Sequence, residues 1–195
     1  MLITFEGIDG SGKTTQASRL RDYLKDRGLE VYLFREPGGT EVGERVREIL
    51  VKYPVDPLAE LFLFEASRAE LVRVIRELLR RGEVVILDRF TDSTLAYQGY
   101  GRGIDLALIK RLNSLVTGGI EPQITFLLDL DPETALRRLK EKSRFDDPEF
   151  LKKVREGYLR IARSCTSRVV IIDASLPEEE VFSRIREHVD EKLKL

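Results

Sequence analysis

Residues 1–15 read MLITFEGIDGSGKTT and contain the most specific pattern in the chain. A short apolar run, Leu2–Glu6, precedes a glycine-rich segment, Gly7–Thr14, that satisfies the pattern G-x-x-x-x-G-K-[ST]. Its glycines allow the backbone to wrap around phosphate oxygens and to point N–H groups at them. A helix that begins near Lys13 adds its positive N-terminal end. The stretch therefore predicts a strand, a phosphate loop and a helix that together bind a nucleoside triphosphate.

Short apolar runs alternate with longer amphipathic segments along the rest of the chain. After Leu2–Glu6, the runs predict four more strands: Val31–Phe34, Val84–Leu87, Ile124–Leu128 and Val169–Ile172. The amphipathic segments predict helices at Lys13–Asp26, Thr40–Val51, Pro57–Arg81, Ile104–Thr117, Pro132–Lys142, Pro148–Ala162 and Pro177–Lys194. This alternation indicates an α/β fold of the P-loop NTPase-like type, a three-layer α/β/α arrangement with a five-stranded parallel sheet. Ligands of such sheets bind at the carboxyl ends of the strands.

Length and composition narrow the class of protein. The 195 residues predict a single domain, 1–195, and the balance of 33 Lys+Arg against 34 Asp+Glu argues against a broadly basic nucleic-acid binder. One cysteine, Cys165, cannot form an intramolecular disulfide or a zinc cluster. No apolar run of about 18 residues occurs, and the first residues lack the features of a signal peptide. We therefore expect a cytoplasmic protein with no membrane or nucleic-acid partner.

Arginine follows the third predicted strand, where a GTPase would carry a D-x-x-G segment. The chain reads Asp88-Arg89-Phe90 at this point, and no guanine-reading N-K-x-D segment is found. A permanent cation at a strand end suits a second phosphate better than an attacking water. Arg35 follows the second strand and Arg47 lies a little further on. Any single arginine in so charged a chain could equally form a solvated ion pair, although the position at strand ends favours a phosphate.

Four segments make the sequence resemble the thymidylate kinase family, from Leu2 to about Tyr158. The segments are Arg35–Thr40, the pair Phe64 and Arg68, the signature from Asp88 through Gly99 (DRFTDSTLAYQG), and Leu128–Arg138. The phosphate loop has no arginine of its own, which resembles the type of the family that supplies arginine from a lid. By resemblance, the lid would span about 139–148.

The resemblance implies an activity, a cofactor and an assembly. It implies transfer of the γ-phosphate of ATP to dTMP, giving dTDP for dTTP synthesis, with Mg²⁺ as cofactor and a homodimer as the assembly. Two other interpretations stay open at this point: a nucleoside or nucleotide kinase with another acceptor, such as dUMP or a nucleoside hydroxyl, and a regulatory nucleotide-binding module without transfer activity.

The resemblance also implies residues that bind the donor and take part in catalysis. The ATP-binding set is Gly7, Ile8, Asp9, Gly10, Ser11, Gly12, Lys13, Thr14, Thr15 and Arg138, with Thr14 as the Mg²⁺ ligand. The catalytic set is Asp9, Lys13, Arg89 and Arg144. Asp9 has two interpretations of equal weight: a contact at the donor–acceptor junction, or a helix-start carboxylate that binds backbone N–H groups.

The acceptor residues are implied in the same way. In the family, the base stacks on the residue matching Phe64, and the residue matching Arg68 contacts thymine O4. Without the resemblance, this pair would suggest a core ring beside a surface charge, although a spacing of four places both on one helix face. Around dTMP, Thr94 and Gln98 would contact the base edge, Tyr97 the deoxyribose, Glu36 the sugar or a metal-bound water, and Arg35, Arg47 and Arg89 the 5′-phosphate.

Overall fold

A parallel sheet of five strands forms the centre of the computed structural model, which describes residues 1–139 and 145–195. The strands are β1 (Leu2–Glu6), β2 (Val31–Arg35), β3 (Val84–Asp88), β4 (Ile124–Asp129) and β5 (Val169–Asp173). Their order in the sheet is β2-β3-β1-β4-β5, and every neighbouring pair is parallel. The predicted α/β class and the five-stranded parallel sheet are confirmed.

Helices cover both faces of this sheet. They are α1 (Lys13–Lys25), α2 (Glu41–Lys52), α3 (Pro57–Arg80), α4 (Thr91–Thr94), α5 (Leu106–Thr117), α6 (Pro132–Arg138), α7 (Pro148–Ser164) and α8 (Glu178–Leu193), with a π-helix over Leu95–Gly101. Successive side chains of a strand point to opposite faces. Leu2 of β1 therefore packs in the cluster with α3, whereas Ile3 and Phe5 pack in the larger cluster that includes α1 and α8. The three-layer arrangement follows from these two clusters.

The segment between β3 and α5 differs from the sequence-based expectation. No helix was predicted there, but α4 runs directly into the π-helix, which packs along α7. Glycine lowers helix propensity, and this segment contains Gly99 and Gly101. A Cβ on Gly101 would lie 2.6 Å from the Phe150 ring, and one on Gly157 of α7 would lie 2.7 Å from Tyr100. The absence of side chains at these glycines permits the close packing.

The predicted lid is only partly described. Helix α6 ends at Arg138, and α7 begins at Pro148. Residues 140–144, which include Arg144 and the last part of the predicted helix Pro132–Lys142, lie outside the described residues. Within the described part of the chain, no helix is both long and apolar enough to span a membrane.

A bidentate ion pair fixes the start of α4. Arg168, just before β5, donates from Nη1 and Nη2 to the two carboxylate oxygens of Asp92, at 2.7 and 2.8 Å. Nη1 also donates to Thr125 Oγ1 on β4, at 2.8 Å. Asp92 is 4% exposed, so loss of its partner would leave a buried charge unpaired.

We expect Arg168→Met to lower the free energy of unfolding by about 2–3 kcal/mol, because Asp92 would lose its cation while Arg168 itself is partly solvated. Chemical denaturation measures the change. The control is Arg160→Met, which breaks an exposed pair with Glu156 and should leave the unfolding midpoint unchanged. Equal midpoints for the two variants would contradict a stabilising role for the buried pair.

Candidate active site

The phosphate loop, Gly7–Thr14, connects β1 to α1 at the carboxyl edge of the sheet. Gly7 and Gly10 have φ values of 137° and 82°, in the region that favours glycine. A Cβ on Gly7 would lie 2.6 Å from the carbonyl oxygen of Leu128, and one on Gly10 would clash with that of Ala135. Backbone conformation and space therefore both require glycine, and the loop is held close to β4 and α6.

Lys13 is buried at the first position of α1. Its Nζ donates to the carbonyl oxygen of Ile8 at 2.9 Å and lies 3.8 Å from Asp9 Oδ1. Burial, and secondarily the Arg89 cation, lowers the pKa of Lys13 to about 8, against the opposing effect of Asp9. The loop thus contains a cation whose charged form would be favoured by an added anion.

Thr14 and Asp88 present two oxygen ligands beside the loop. The Thr14 hydroxyl donates to Asp88 Oδ2 at 2.5 Å, at the end of β3. Hydroxyl and carboxylate oxygens are hard ligands, and Mg²⁺ is usually bound by one or two protein oxygens together with substrate phosphates and waters. Residues 1–139 and 145–195 contain no cluster of three or more His, Cys, Asp and Glu side chains for an all-protein site. The pair therefore fits a magnesium ion that arrives with a nucleotide.

Arg89 lies immediately after β3 with φ of 75°, in the left-handed region. Its guanidinium donates to Asp9 Oδ1 at 2.6 Å and, at 3.1 Å each, to the hydroxyls of Ser93, Tyr97 and Tyr158. Burial alone would raise the pKa of Asp9, but the Arg89 and Lys13 cations hold it well below its usual range. A cation and an anion therefore meet where the phosphate loop faces the end of β3.

Glu6 lies behind Arg89 and is 1% exposed. It accepts hydrogen bonds from the Phe90 N–H at 2.8 Å, the Ser93 hydroxyl at 2.6 Å and the Tyr158 hydroxyl at 3.0 Å. Burial, and secondarily a neighbouring carboxylate, raises the pKa of Glu6 to about 7. Sequence reasoning missed both Glu6 and Tyr158. A charged residue that ends an otherwise apolar strand was the only local signal for Glu6.

A cavity of about 430 Å³ opens beside Arg89. It contains eight of the nine residues predicted to bind the acceptor, and its lining comprises Asp9, Glu36, Pro37, Arg47, Leu50, Val51, Phe64, Arg68, Arg89, Ser93, Thr94, Tyr97, Gln98 and Phe145. The exception is Arg35, whose half-exposed side chain donates to Glu44 Oε2 at 3.0 Å. The structure therefore brings the implied acceptor residues together, apart from Arg35.

Arg68 is the largest fully buried side chain and all five of its N–H groups have acceptors. Nε and Nη2 donate to Glu36 Oε2 at 2.9 and 2.7 Å, and Nη2 also donates to the Phe90 carbonyl at 3.2 Å. Nη1 donates to Glu65 Oε1 and Asn113 Oδ1, both at 2.8 Å. A base contact from Arg68 would therefore have to share an N–H with one of these acceptors. Sequence reasoning missed Glu65 and Asn113.

Two buried atoms of the cavity lining have no hydrogen-bond partner in the described part of the chain. They are Glu36 Oε1 and Thr94 Oγ1. Burial raises the pKa of Glu36 although Arg68 opposes the effect. Buried polar atoms are nearly always paired in native proteins. Both atoms are therefore positions where a ligand group would complete the hydrogen bonding.

The remaining predicted residues lie around the loop. Ser11 is buried and its hydroxyl has no partner within residues 1–139 and 145–195, whereas Thr15 is exposed. Arg138, at the end of α6, donates to the Ala174 carbonyl at 3.0 Å, beyond the end of β5. Arg47 donates to the Pro37 carbonyl at 3.3 Å and lines the cavity. The position of Arg144 falls outside the described residues.

Comparison with known proteins gives consistent relatives. The sequence model of the family described as Thymidylate kinase matches residues 5–185. A thymidylate kinase of Prosthecochloris aestuarii is 50% identical, over 97% of this chain and 92% of that protein. One from Deinococcus radiodurans is 44% identical, over 98% of this chain and 97% of that protein.

A solved structure agrees with this match. The crystal structure of thymidylate kinase from Ehrlichia chaffeensis superimposes with a TM-score of 0.82 at 42% identity, and covers 97% of this chain and 98% of that one. The sequence and the structure of this chain both match thymidylate kinases over nearly its whole length, and the chain belongs to the thymidylate kinase family.

Proposed function

We propose that the chain transfers the γ-phosphate of ATP to the 5′-phosphate of dTMP, giving dTDP for dTTP synthesis. The observation that carries the proposal is the position of Arg89. Its guanidinium binds Asp9 of the phosphate loop and also lines the 430 Å³ cavity. One cation therefore stands between a donor site and an acceptor site, as in-line transfer between two anionic phosphates requires.

The donor side is formed by the phosphate loop. Its N–H groups and Lys13 would bind the β- and γ-phosphates, with Arg138 nearer the adenine. Thr14, with Asp88 beside it, would hold Mg²⁺; when bound, the ion neutralises charge on the phosphates. In phosphoryl transfer of this kind, the protein mainly positions the two substrates and neutralises the charge on their phosphates. We therefore expect the placement of these groups to account for most of the catalysis.

The acceptor side is formed by the cavity. Phe64 would stack on the base, and Thr94 and Gln98 would contact its edge. Tyr97, whose hydroxyl accepts from Arg89, would lie at the deoxyribose, and the unpartnered Glu36 Oε1 suits a sugar hydroxyl. Arg47 and Arg89 would hold the 5′-phosphate, and Arg35 would have to leave Glu44 to join them.

No general base is needed, because an acceptor phosphate oxygen is already anionic at neutral pH. Asp9 then has a positioning role. It holds Arg89 at 2.6 Å and lies 3.8 Å from Lys13, so it sets the spacing of the two cations that face the transferred group. This arrangement supports the junction interpretation of Asp9 over that of a helix cap, for α1 has no side-chain cap.

The finer assignments rest on the resemblance. A phosphate loop without arginine supports the subtype that supplies arginine from the lid, with Arg144 as that residue and 139–148 as the lid. A cytoplasmic location fits an enzyme whose substrates, ATP and dTMP, are intracellular nucleotides. A purely regulatory nucleotide-binding module would have no use for a second cavity lined by three arginines and three aromatic rings beside the loop.

We expect ADP release from ATP·Mg²⁺ to be fast with dTMP, slower with dUMP, and near background with dCMP, AMP or thymidine. A coupled ADP-release assay measures the rates. Lys13→Ala, which removes the loop cation, should lower kcat with dTMP at least hundredfold, since donors of this kind are worth about 3 kcal/mol. ATP binding with no stimulation by any acceptor would overturn the proposal in favour of a binding module.

We expect proton uptake when a non-hydrolysable ATP analogue binds at about pH 8. The pKa of Lys13 is about 8 in the free protein, and phosphate charge raises it, so about half a proton binds near pH 8 and almost none near pH 6. Calorimetry in two buffers of different ionisation enthalpy gives the number of protons. Lys13→Arg, which stays charged, should abolish the uptake; an unchanged uptake would assign it to another group.

The family's homodimer is proposed here from an apolar surface on α2 and the first turns of α3. Its members are 40–69% exposed: Val42, Ile49, Val51, Tyr53, Leu58 and Phe62. The two helices pack against each other, and a group of six exposed apolar side chains on neighbouring helices is unusual for a monomer. Val51 also lines the cavity, so the proposed interface would border the acceptor site.

We expect sedimentation of the protein at twice its 22.4 kDa chain mass. Phe62→Glu should shift the protein towards monomer, because it buries a charge in the interface. Ile171→Glu, on the edge strand β5, is the matched control and should leave the dimer intact. A monomeric parent protein, or a dimer insensitive to Phe62→Glu, would contradict this interface.

A further inference from the structure

Gln98 of the π-helix lines the cavity through a side chain whose amide is fixed from behind. The residue is 1% exposed, and its Nε2 donates to Glu60 Oε1 at 2.7 Å. Its Oε1 accepts no hydrogen bond from residues 1–139 or 145–195. Glu60 thus takes one N–H of the amide, and the amide oxygen is left for a molecule in the cavity.

Glu60 determines which end of that amide faces the cavity. It lies in the first turn of α3 and is fully buried. Arg102 Nη2 donates to its other oxygen, Oε2, at 3.3 Å. A carboxylate in an ion pair can only accept hydrogen bonds, so Gln98 must turn its NH₂ group towards Glu60. The lack of a donor on Glu60 therefore fixes the orientation of the amide.

We propose that Glu60 is a positioning residue that sets base selectivity by holding the Gln98 amide oxygen towards the acceptor base. The inference rests on the proposed function, since it concerns the base of the acceptor nucleotide. Thymine and uracil carry a donor, N3–H, on their pairing edge, whereas N3 of cytosine is an acceptor. An amide oxygen fixed at this edge binds the first two bases and repels the lone pair of the third. Glu60 itself is not among the residues that line the cavity.

Glu60→Gln should invert this arrangement. The Arg102 cation beside residue 60 favours an oxygen over an NH₂ group, so the new side chain would turn its only oxygen to Arg102 and its NH₂ group towards Gln98. Gln98 would then flip, presenting its oxygen to residue 60 and its own NH₂ group to the base. That polarity fits cytosine N3 and opposes thymine N3–H.

The experiment compares kcat/KM for dTMP, dUMP and dCMP in the parent enzyme and in Glu60→Gln. We expect the dTMP:dCMP ratio to fall at least tenfold in the variant, and the dTMP:dUMP ratio to stay within about twofold, because those two bases share the N3–H donor. A purely structural defect would lower all three values together and leave both ratios unchanged. Arg102→Lys is the control: it keeps a cation beside Glu60 and should keep the parent dTMP:dCMP ratio.

A double variant tests whether Glu60 acts on base selectivity through Gln98. In a Gln98→Met background, Glu60→Gln should have no further effect on the dTMP:dCMP ratio. An unchanged ratio in Glu60→Gln alone, or a parallel fall in both ratios, overturns the inference.

If Glu60→Gln does not unfold cooperatively, a crystal structure of the parent enzyme with dTMP decides: Gln98 within hydrogen-bond distance of thymine N3 supports the inference, and a Gln98 that does not reach N3 overturns it. Failure of the parent enzyme to phosphorylate dTMP would instead reject the proposed function.

Discussion

A largely buried guanidinium, that of Arg89, is the group on which the rest of the site depends. Burial disfavours its charge, and that cost is offset by Asp9 and by three hydroxyl groups. Two of these hydroxyls, on Ser93 and Tyr158, donate their own hydrogen bonds to Glu6. The phosphate loop, the π-helix, α7 and the end of β1 must therefore all be in place before Arg89 is satisfied. The cation would couple the proposed donor site to the proposed acceptor site, because both contain its hydrogen-bond partners.

A second buried cation organises the far side of the cavity. Arg68 uses all five N–H groups within the protein, so its geometry is fixed before any ligand binds. Its acceptors come from the loop after β2, from α3 and from α5, and removal of any one would leave a buried charge or donor unpaired. Such a network is weak evidence for high stability. It does explain how the cavity keeps one shape while Glu36 Oε1 has no hydrogen-bond partner among residues 1–139 and 145–195.

The sequence predicted the sheet well because its three central strands, β1, β3 and β4, are buried on both faces, and all five strands read as short apolar runs. The phosphate loop carries a local motif of its own, whereas the residues of the cavity were predicted only through the resemblance to the family. What could not be predicted was the set of partners behind them. Glu6 and Tyr158 are 152 positions apart, and nothing near either residue indicates the other. Glu60 sits in an amphipathic helix, where a carboxylate normally lies in solvent, and only the fold buries it completely.

The π-helix is the other element that could not be predicted from the sequence. One of its sides lines the cavity, and the other packs against neighbouring helices. π-Helical turns are rare and concentrate at functional sites. Here the turn sets Tyr97 and Gln98 in the cavity lining while Gly99 packs against Leu106 of α5. With larger side chains in place of Gly99 and Gly101, this segment could not approach α5 and α7 so closely. The same packing brings Gln98 against Glu60 of α3, so the conformation that closes the core also fixes the orientation of the Gln98 amide in the proposed base-binding site.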